Sequence, residues 1–277
     1  MNEPAALVGL VAAGDHGAIP LARRLGEAAW TAIEPLSGSE DADVRELTFL
    51  CLAEVASEGQ VPVLLGALSD PSVPVRHVAL RGLRRAATAA LGPALVAAAR
   101  TQGEAAVREG LLAMILALPG GGGGLASEAE LTAIAEQEGS PATRALWLLL
   151  AARGATPLPS QNRGPDAGRT AASRAEQAFR AALLDLGPAD LARLLGRTSL
   201  AADRFALPAL GRLLANEEAA LWVHSDLKPD GPAYRRVCDL AADQVIAALR
   251  AAGAAAPARE IVYSPEARGG LRAATGS

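Results

Sequence analysis

Residues able to do acid, base or metal chemistry are few in this chain. Its 277 residues include three histidines (His16, His77 and His224), two cysteines (Cys51 and Cys238) and a single lysine, Lys228. His224-Ser225-Asp226 could supply two metal ligands, but no further His or Cys lies nearby in sequence. A zinc site needs three or four protein ligands, so a solvated turn is the simpler interpretation. Gly121-x-Gly123-x-x-Ala126 fits a dinucleotide fingerprint in letters only. A helical pattern precedes it where a strand is required, and five consecutive glycines match many patterns. No phosphate-loop lysine or nucleophile-elbow serine is present. The cysteines stand apart inside apolar runs, as small buried hydrophobes do in a reducing compartment. No catalytic residue, cofactor site or metal site is assigned.

One cationic cluster remains. At about 100° per residue, His77, Arg81, Arg84 and Arg85 share one helical face, opposite an apolar face of Val75, Ala79, Gly82 and Ala86. Such a face is either ordinary solvated surface or a basic patch that meets a partner.

The elements that would position this cluster follow from a recurring arginine. Asp43-Val44-Arg45, Val75-Arg76, Val107-Arg108 and Thr143-Arg144 each open an apolar helical run. The arginines are spaced by 31, 32 and 36 residues, and omitting the glycines 120–124 brings the last step to 31. Continuing the count lands on Arg174, Arg204 and Arg235, in steps of 30, 30 and 31. A fixed period of this size marks stacked repeats, none of which can bury its apolar face alone. Three and seven positions after each arginine come Thr48, Ala79, Leu111, Trp147 and Leu52, Leu83, Ile115, Ala151. They share one face, apolar everywhere but at Thr48.

The chain is 51% hydrophobic but only 3% aromatic, so its core is built from Ala, Leu and Val. Ala and Leu favour helix, and strand formers are scarce; the class is all-α. Predicted first and second helices alternate: 28–36 with 43–56, 61–68 with 71–87, 91–100 with 104–118, and 128–138 with 141–153. Asp70-Pro71 and Ser140-Pro141 pair a capping side chain with a proline at the first helical position. Residues 1–26 are expected to be two capping helices, 27–153 regular repeats, 154–172 a Pro/Gly-rich loop, 173–252 degenerate repeats and 253–277 a flexible tail. In the degenerate part, helices are expected over 173–186, 188–195, 203–215, 217–223 and 232–252, with Pro208 kinking one or marking its start. Within the tail, Ile261-Val262-Tyr263 could dock locally.

The stretch from Leu68 to Leu83, Leu-Ser-Asp-Pro-Ser-Val-Pro-Val-Arg-His-Val-Ala-Leu-Arg-Gly-Leu, resembles a HEAT-like repeat. More narrowly it resembles the short bacterial kind named after phycobilisome lyase subunits. The resemblance is clear over 27–153 and faint over 173–252. It implies an α-solenoid (superhelix) of stacked HEAT-like helix pairs. It further implies a ladder in which Arg45, Arg76, Arg108 and Arg144 bond to Asp and backbone groups of adjacent units. Asp43 and Asp70 match the acidic position, while Glu104 and Ser140 stand near it in the next two repeats.

Enzymes of this architecture set further tests. HEAT-repeat hydroxylases hold iron with His-Glu pairs, and none of the three histidines is followed by Glu. A bilin-lyase-like enzyme or chaperone rests on likeness alone. HEAT-like DNA glycosylases need a basic groove with aromatics, but Trp30, Trp147 and Trp222 lie in different repeats with apolar neighbours. The net charge of −4 also disfavours nucleic acid. Around the basic cluster, Leu50, Ala113 and Leu149 replace Arg81 in the other repeats, which predicts an apolar groove with one cationic spot. That suits another protein or peptide carrying an acidic residue. The expectation is a non-catalytic interaction scaffold or adaptor without cofactors, cytoplasmic and of open oligomeric state. Glu3 falls where a secretory leader would be basic. The longest apolar runs, Leu111–Leu118 and Ala145–Ala152, are far short of the roughly 20 residues of a membrane span.

Overall fold

The computed structural model describes residues 2–119, 125–155, 173–200, 202–217, 219–222, 233–254 and 271–275. They divide between two compact units, Met1–Pro119 and Gly120–Ser277. The glycine run 120–124, residues 156–172 of the expected loop, His224, Lys228 and Ile261-Val262-Tyr263 lie outside the described residues.

The first unit is a stack of helix pairs of the α-solenoid kind. Its helices are α1 (Glu3–Ala12), α2 (Ala18–Leu25), α3 (Glu27–Ile33), α4 (Ala42–Val55), α5 (Val61–Ala67), α6 (Val73–Ala86), α7 (Gly92–Thr101) and α8 (Ala105–Ala117). Even-numbered helices pack on one another in series, α2 on α4, α4 on α6 and α6 on α8, while α5 and α7 pack on the second helices of their own pairs. The repeated apolar positions form the core: Leu52, Ala79, Leu83, Leu111 and Ile115 are all buried. Thr48 is buried too, and its hydroxyl donates to the Val44 carbonyl at 2.7 Å, so this one polar member of the face is internally satisfied. At Gly110 a Cβ would stand 2.2 Å from Leu80 Cδ2, so glycine sets the spacing between α6 and α8.

Two helix starts differ from expectation. Helix α6 begins at Val73 with Ser72 as N-cap, because Asp70 spends its carboxylate on the Ser72 N–H at 2.8 Å and leaves Pro71 in the turn. Helix α4 is capped by Asp41, whose side chain accepts from the Asp43 N–H at 2.9 Å.

The second unit contains α9 (Glu128–Gln137), α10 (Pro141–Ala155), α11 (Arg174–Asp185), α12 (Pro188–Arg197), α13 (Leu207–Leu213) and α14 (Val237–Ala251). Helix α10 is apolar nearly all round and lies between α9 and α11, as a fully enclosed helix must. Ser127 with Glu130 and Ser173 with Glu176 form reciprocal capping boxes at the starts of α9 and α11. Pro208 marks the true start of α13, after a short 3₁₀ turn at Arg204–Ala206.

The expected helix over 217–223 is instead a strand, β1 (Ala219–Trp222), paired antiparallel with β2 (Ala233–Arg236), so α14 starts only at Val237. Leu221, Trp222 and Tyr234 are residue types that favour extended chain. The arginine count also fails here. Arg174 is 85% exposed at the start of α11, Arg204 sits in the 3₁₀ turn and Arg235 in β2, three unrelated settings. Part of the expected flexible tail is ordered, since residues 271–275 form a helical turn that buries Leu271.

Candidate interaction surface

Each second helix of the repeats is entered through the same turn. Six residues before the arginine stands a polar side chain, and it accepts the backbone N–H two positions on. The pairs are Ser39 with Asp41 (3.2 Å), Asp70 with Ser72 (2.8 Å), Gln102 with Glu104 (3.2 Å) and Glu138 with Ser140 (2.9 Å). The arginine then folds back over that turn. Arg45 Nη1 donates to the Ser39 and Glu40 carbonyls, Arg76 Nη1 to Asp70 and Pro71, and Arg108 Nη1 to Gln102 and Gly103, all at 2.7 to 3.0 Å. Arg144 Nη2 reaches only the Glu138 carbonyl, at 3.2 Å. These carbonyls precede a helix and have no helical partner, so the guanidinium supplies what the backbone lacks. The clasped carbonyls belong to the arginine's own repeat; the link to the next repeat is carried by carboxylates. The repeated polar residue was visible in the sequence as a second column six places ahead of the arginine.

Two of those links are formed in the first unit. Arg45 grips Asp70 with both ends of its fork, Nε to Oδ2 at 2.8 Å and Nη2 to Oδ1 at 3.1 Å, with both side chains about one-tenth exposed. Arg76 Nε meets Glu104 Oε2 at 2.7 Å. The Arg45 hydrogen bond holds the Asp70 carboxyl below the usual carboxylate range, against burial and with help from the Ser72 N–H and the Arg76 charge. Burial opposes charge on Glu104, yet the hydrogen bonds from Arg76 and His77 outweigh it and keep that carboxyl low as well. Asp43, one of the two acids at the expected ladder position, lies one turn too far into α4; its neighbour Asp41 does the capping.

The four members of the cationic cluster are all exposed, but they differ in what they are paired with. His77 Nε2 lies 3.2 Å from Glu104 Oε1, at the turn edge. Arg81 Nη2 donates to Glu54 Oε1 at 3.3 Å, and Glu54 Oε2 in turn accepts from Arg23 Nε and Nη2 at 3.3 and 3.0 Å. Arg84 and Arg85, in the last turn of α6, have no ion-pair partner among the described residues. Sequence reasoning missed Arg23 and Glu54, although Arg23, Glu54 and Arg85 are each 31 residues apart and hold one column of the repeat. None of the three residues expected to line an apolar groove, Leu50, Ala113 and Leu149, is exposed. Leu149 is fully buried inside α10, Leu50 is half-buried on α4, and Val73 is the one exposed large hydrophobic residue among those described.

Trp30 and Trp147 are buried, and no group of three His, Cys, Asp or Glu residues among those described could hold a metal. A shallow open depression of about 280 Å³ lies between Phe49, Val63, Ser37 and Ser69, and the one carboxylate on its rim, Asp70, is already held by Arg45. No helix among the described residues is long and apolar enough to cross a membrane.

Stacked helix pairs, clasped by one arginine per pair and bearing charge on the second helices, define a helical-repeat protein. Residues 31–115, all within the first unit, match the family model of HEAT repeats. The crystal structure of an engineered protein aligns over 100% of this chain and 72% of its own, at 16% identity and a TM-score of 0.36. No curated protein matches the chain.

Proposed function

We propose that this HEAT-like repeat protein is a non-catalytic interaction scaffold, and that the second-helix face of its first unit docks an acidic segment of another protein. The observation behind this is the end of α6, where Arg84 and Arg85 are exposed with no counter-charge among the described residues, beside a third guanidinium, Arg81. Packing on α4, α5 and α8 fixes the backbone that carries them, so little ordering is lost on binding. A cluster confined to one helix end suits a short acidic stretch better than a nucleic-acid backbone, which wants a continuous positive stripe. Within HEAT repeats, the Asp-Pro-Ser-Val-Pro-Val-Arg run favours the short bacterial subtype.

The test uses Arg84→Glu with Arg85→Glu, which breaks no ion pair among the described residues. Helicity and melting should hold while proteins captured through acidic segments, identified by mass spectrometry, are lost. Capture identical to that of the unaltered chain would remove this face from consideration.

A further inference from the structure

Glu54 is the unusual member of the charged face. It lies on α4 between two second helices, and its carboxylate is only 18% exposed although the guanidiniums gripping it, Arg23 and Arg81, are 65% and 46% exposed. One oxygen takes both Nε and Nη2 of Arg23, and the other takes Nη2 of Arg81. A single carboxylate is therefore held by two arginines from α2 and α6, with Arg84 and Arg85 three and four residues beyond Arg81 on the same helix. Two guanidiniums hold this acid, and two more follow on the same helix. No other acid among the described residues is paired with these four arginines. Glu58 accepts from the Thr88 hydroxyl at 3.5 Å, and Glu104 is taken by Arg76 and His77 at the opposite end of α6.

We infer that Arg23, Arg81, Arg84 and Arg85 form a strip that binds an acidic peptide, and that Glu54 is a built-in competitor occupying the position of one peptide carboxylate. This deepens the function proposed above and rests on it. The geometry supports it in two ways. The Arg23–Glu54–Arg81 arrangement shows the strip already seating a carboxylate, and the unpaired arginines extend it in one direction along α6. A peptide with two or more consecutive acids would place one against Arg84 and Arg85, where no exchange is needed, and the next against Arg81 and Arg23 by displacing Glu54. Since exposed ion pairs are individually weak, that exchange costs little and leaves binding tunable.

The probe is fluorescein-labelled hexaglutamate, titrated by anisotropy at low salt against the full chain, with circular dichroism confirming the fold of each variant. Glu54→Gln should raise affinity about fivefold, because two exposed pairs, each worth a few-fold in binding constant, no longer compete. Glu27→Gln on α3 makes the same change in net charge at an acid that is paired with none of the four arginines, and should leave affinity unchanged. Arg84→Glu with Arg85→Glu should weaken binding at least tenfold. If the double arginine variant weakens binding but Glu54→Gln and Glu27→Gln behave alike, the competitor role is wrong and the docking face stands. If hexaglutamate binds none of the variants, or a twelve-base-pair DNA duplex binds more tightly with a steep salt dependence, the acidic-peptide strip itself is overturned.

Discussion

Arg45 and Arg144 occupy the same place in their repeats and lead different lives. Arg45 clasps two carbonyls of its own turn and seizes Asp70, 25 residues on, in a nearly buried bidentate pair. Arg144 is exposed and holds one carbonyl. Reach decides between them. The acids that close the rungs stand 25 residues after Arg45 and 28 after Arg76, whereas those positions after Arg144 are Arg169 and Ala172. The second unit relies instead on a link that follows no period. Arg153 Nε and Nη2 meet Asp203 Oδ1 and Oδ2 at 2.9 and 2.7 Å across 50 residues, and Gln244 ties α14 to the Leu195, Thr198 and Leu200 backbone. Among the described residues, the first unit repeats its rungs at a fixed register, while these long-range contacts of the second follow none.

The two units should therefore open at different denaturant concentrations, and each carries its own reporter thiol. Cys51 lies buried in the first unit, its pKa pushed up to about 11 by burial and secondarily by the Glu54 charge; Cys238 is buried in the second. Both should label at least about a thousandfold more slowly in the folded protein than when unfolded. Cys238 should become reactive at lower urea than Cys51, and coincident labelling would break the comparison. Next in size, Asp203→Ala removes both carboxylate contacts of the half-buried Arg153 and should cost about 3 kcal/mol, read as a shift in urea midpoint. Asp70→Ala should cost about 2 kcal/mol, since it removes both the Arg45 rung and the acceptor for Ser72.

Acid sharpens the same point. Asp70 and Glu104 have folded pKa values below their ordinary ones, so their contribution is complete above the unfolded value near about 4 and is lost as pH falls through the folded one. The urea midpoint reported by Cys51 should therefore fall below about pH 4, and Asp70→Asn should flatten that dependence. The smallest effect belongs to Arg144→Ala, about 0.5 kcal/mol or less. A cost matching that of Asp70→Ala would erase the distinction between the two rungs.

The repeated half of the fold was legible because each of its constraints is local. An arginine near the start of a helix, an apolar face four residues wide and a cap all fall within one period, so Arg45, Arg76 and Arg108 betray three helix pairs. Strands β1 and β2 were missed because an overall scarcity of strand formers hid a local cluster around Trp222 and Tyr234. The cationic face was found on one helix, as period alone allows, but its division was not. Whether Arg81 is free depends on Glu54, 27 residues away on another helix, and helical-wheel geometry says nothing about neighbours across a stack. Arg153 and Asp203 lie on no shared period, so only the folded chain brings them together.

The arginine clasp touches carbonyl oxygens, which every residue type possesses. The positions it covers five before Arg45, Arg76 and Arg108 are Glu40, Pro71 and Gly103, three residues with nothing in common but their backbone. That edge of the array can thus change its outward chemistry from one homologue to the next without disturbing what lies beneath, giving evolution a rim on which new recognition can be written.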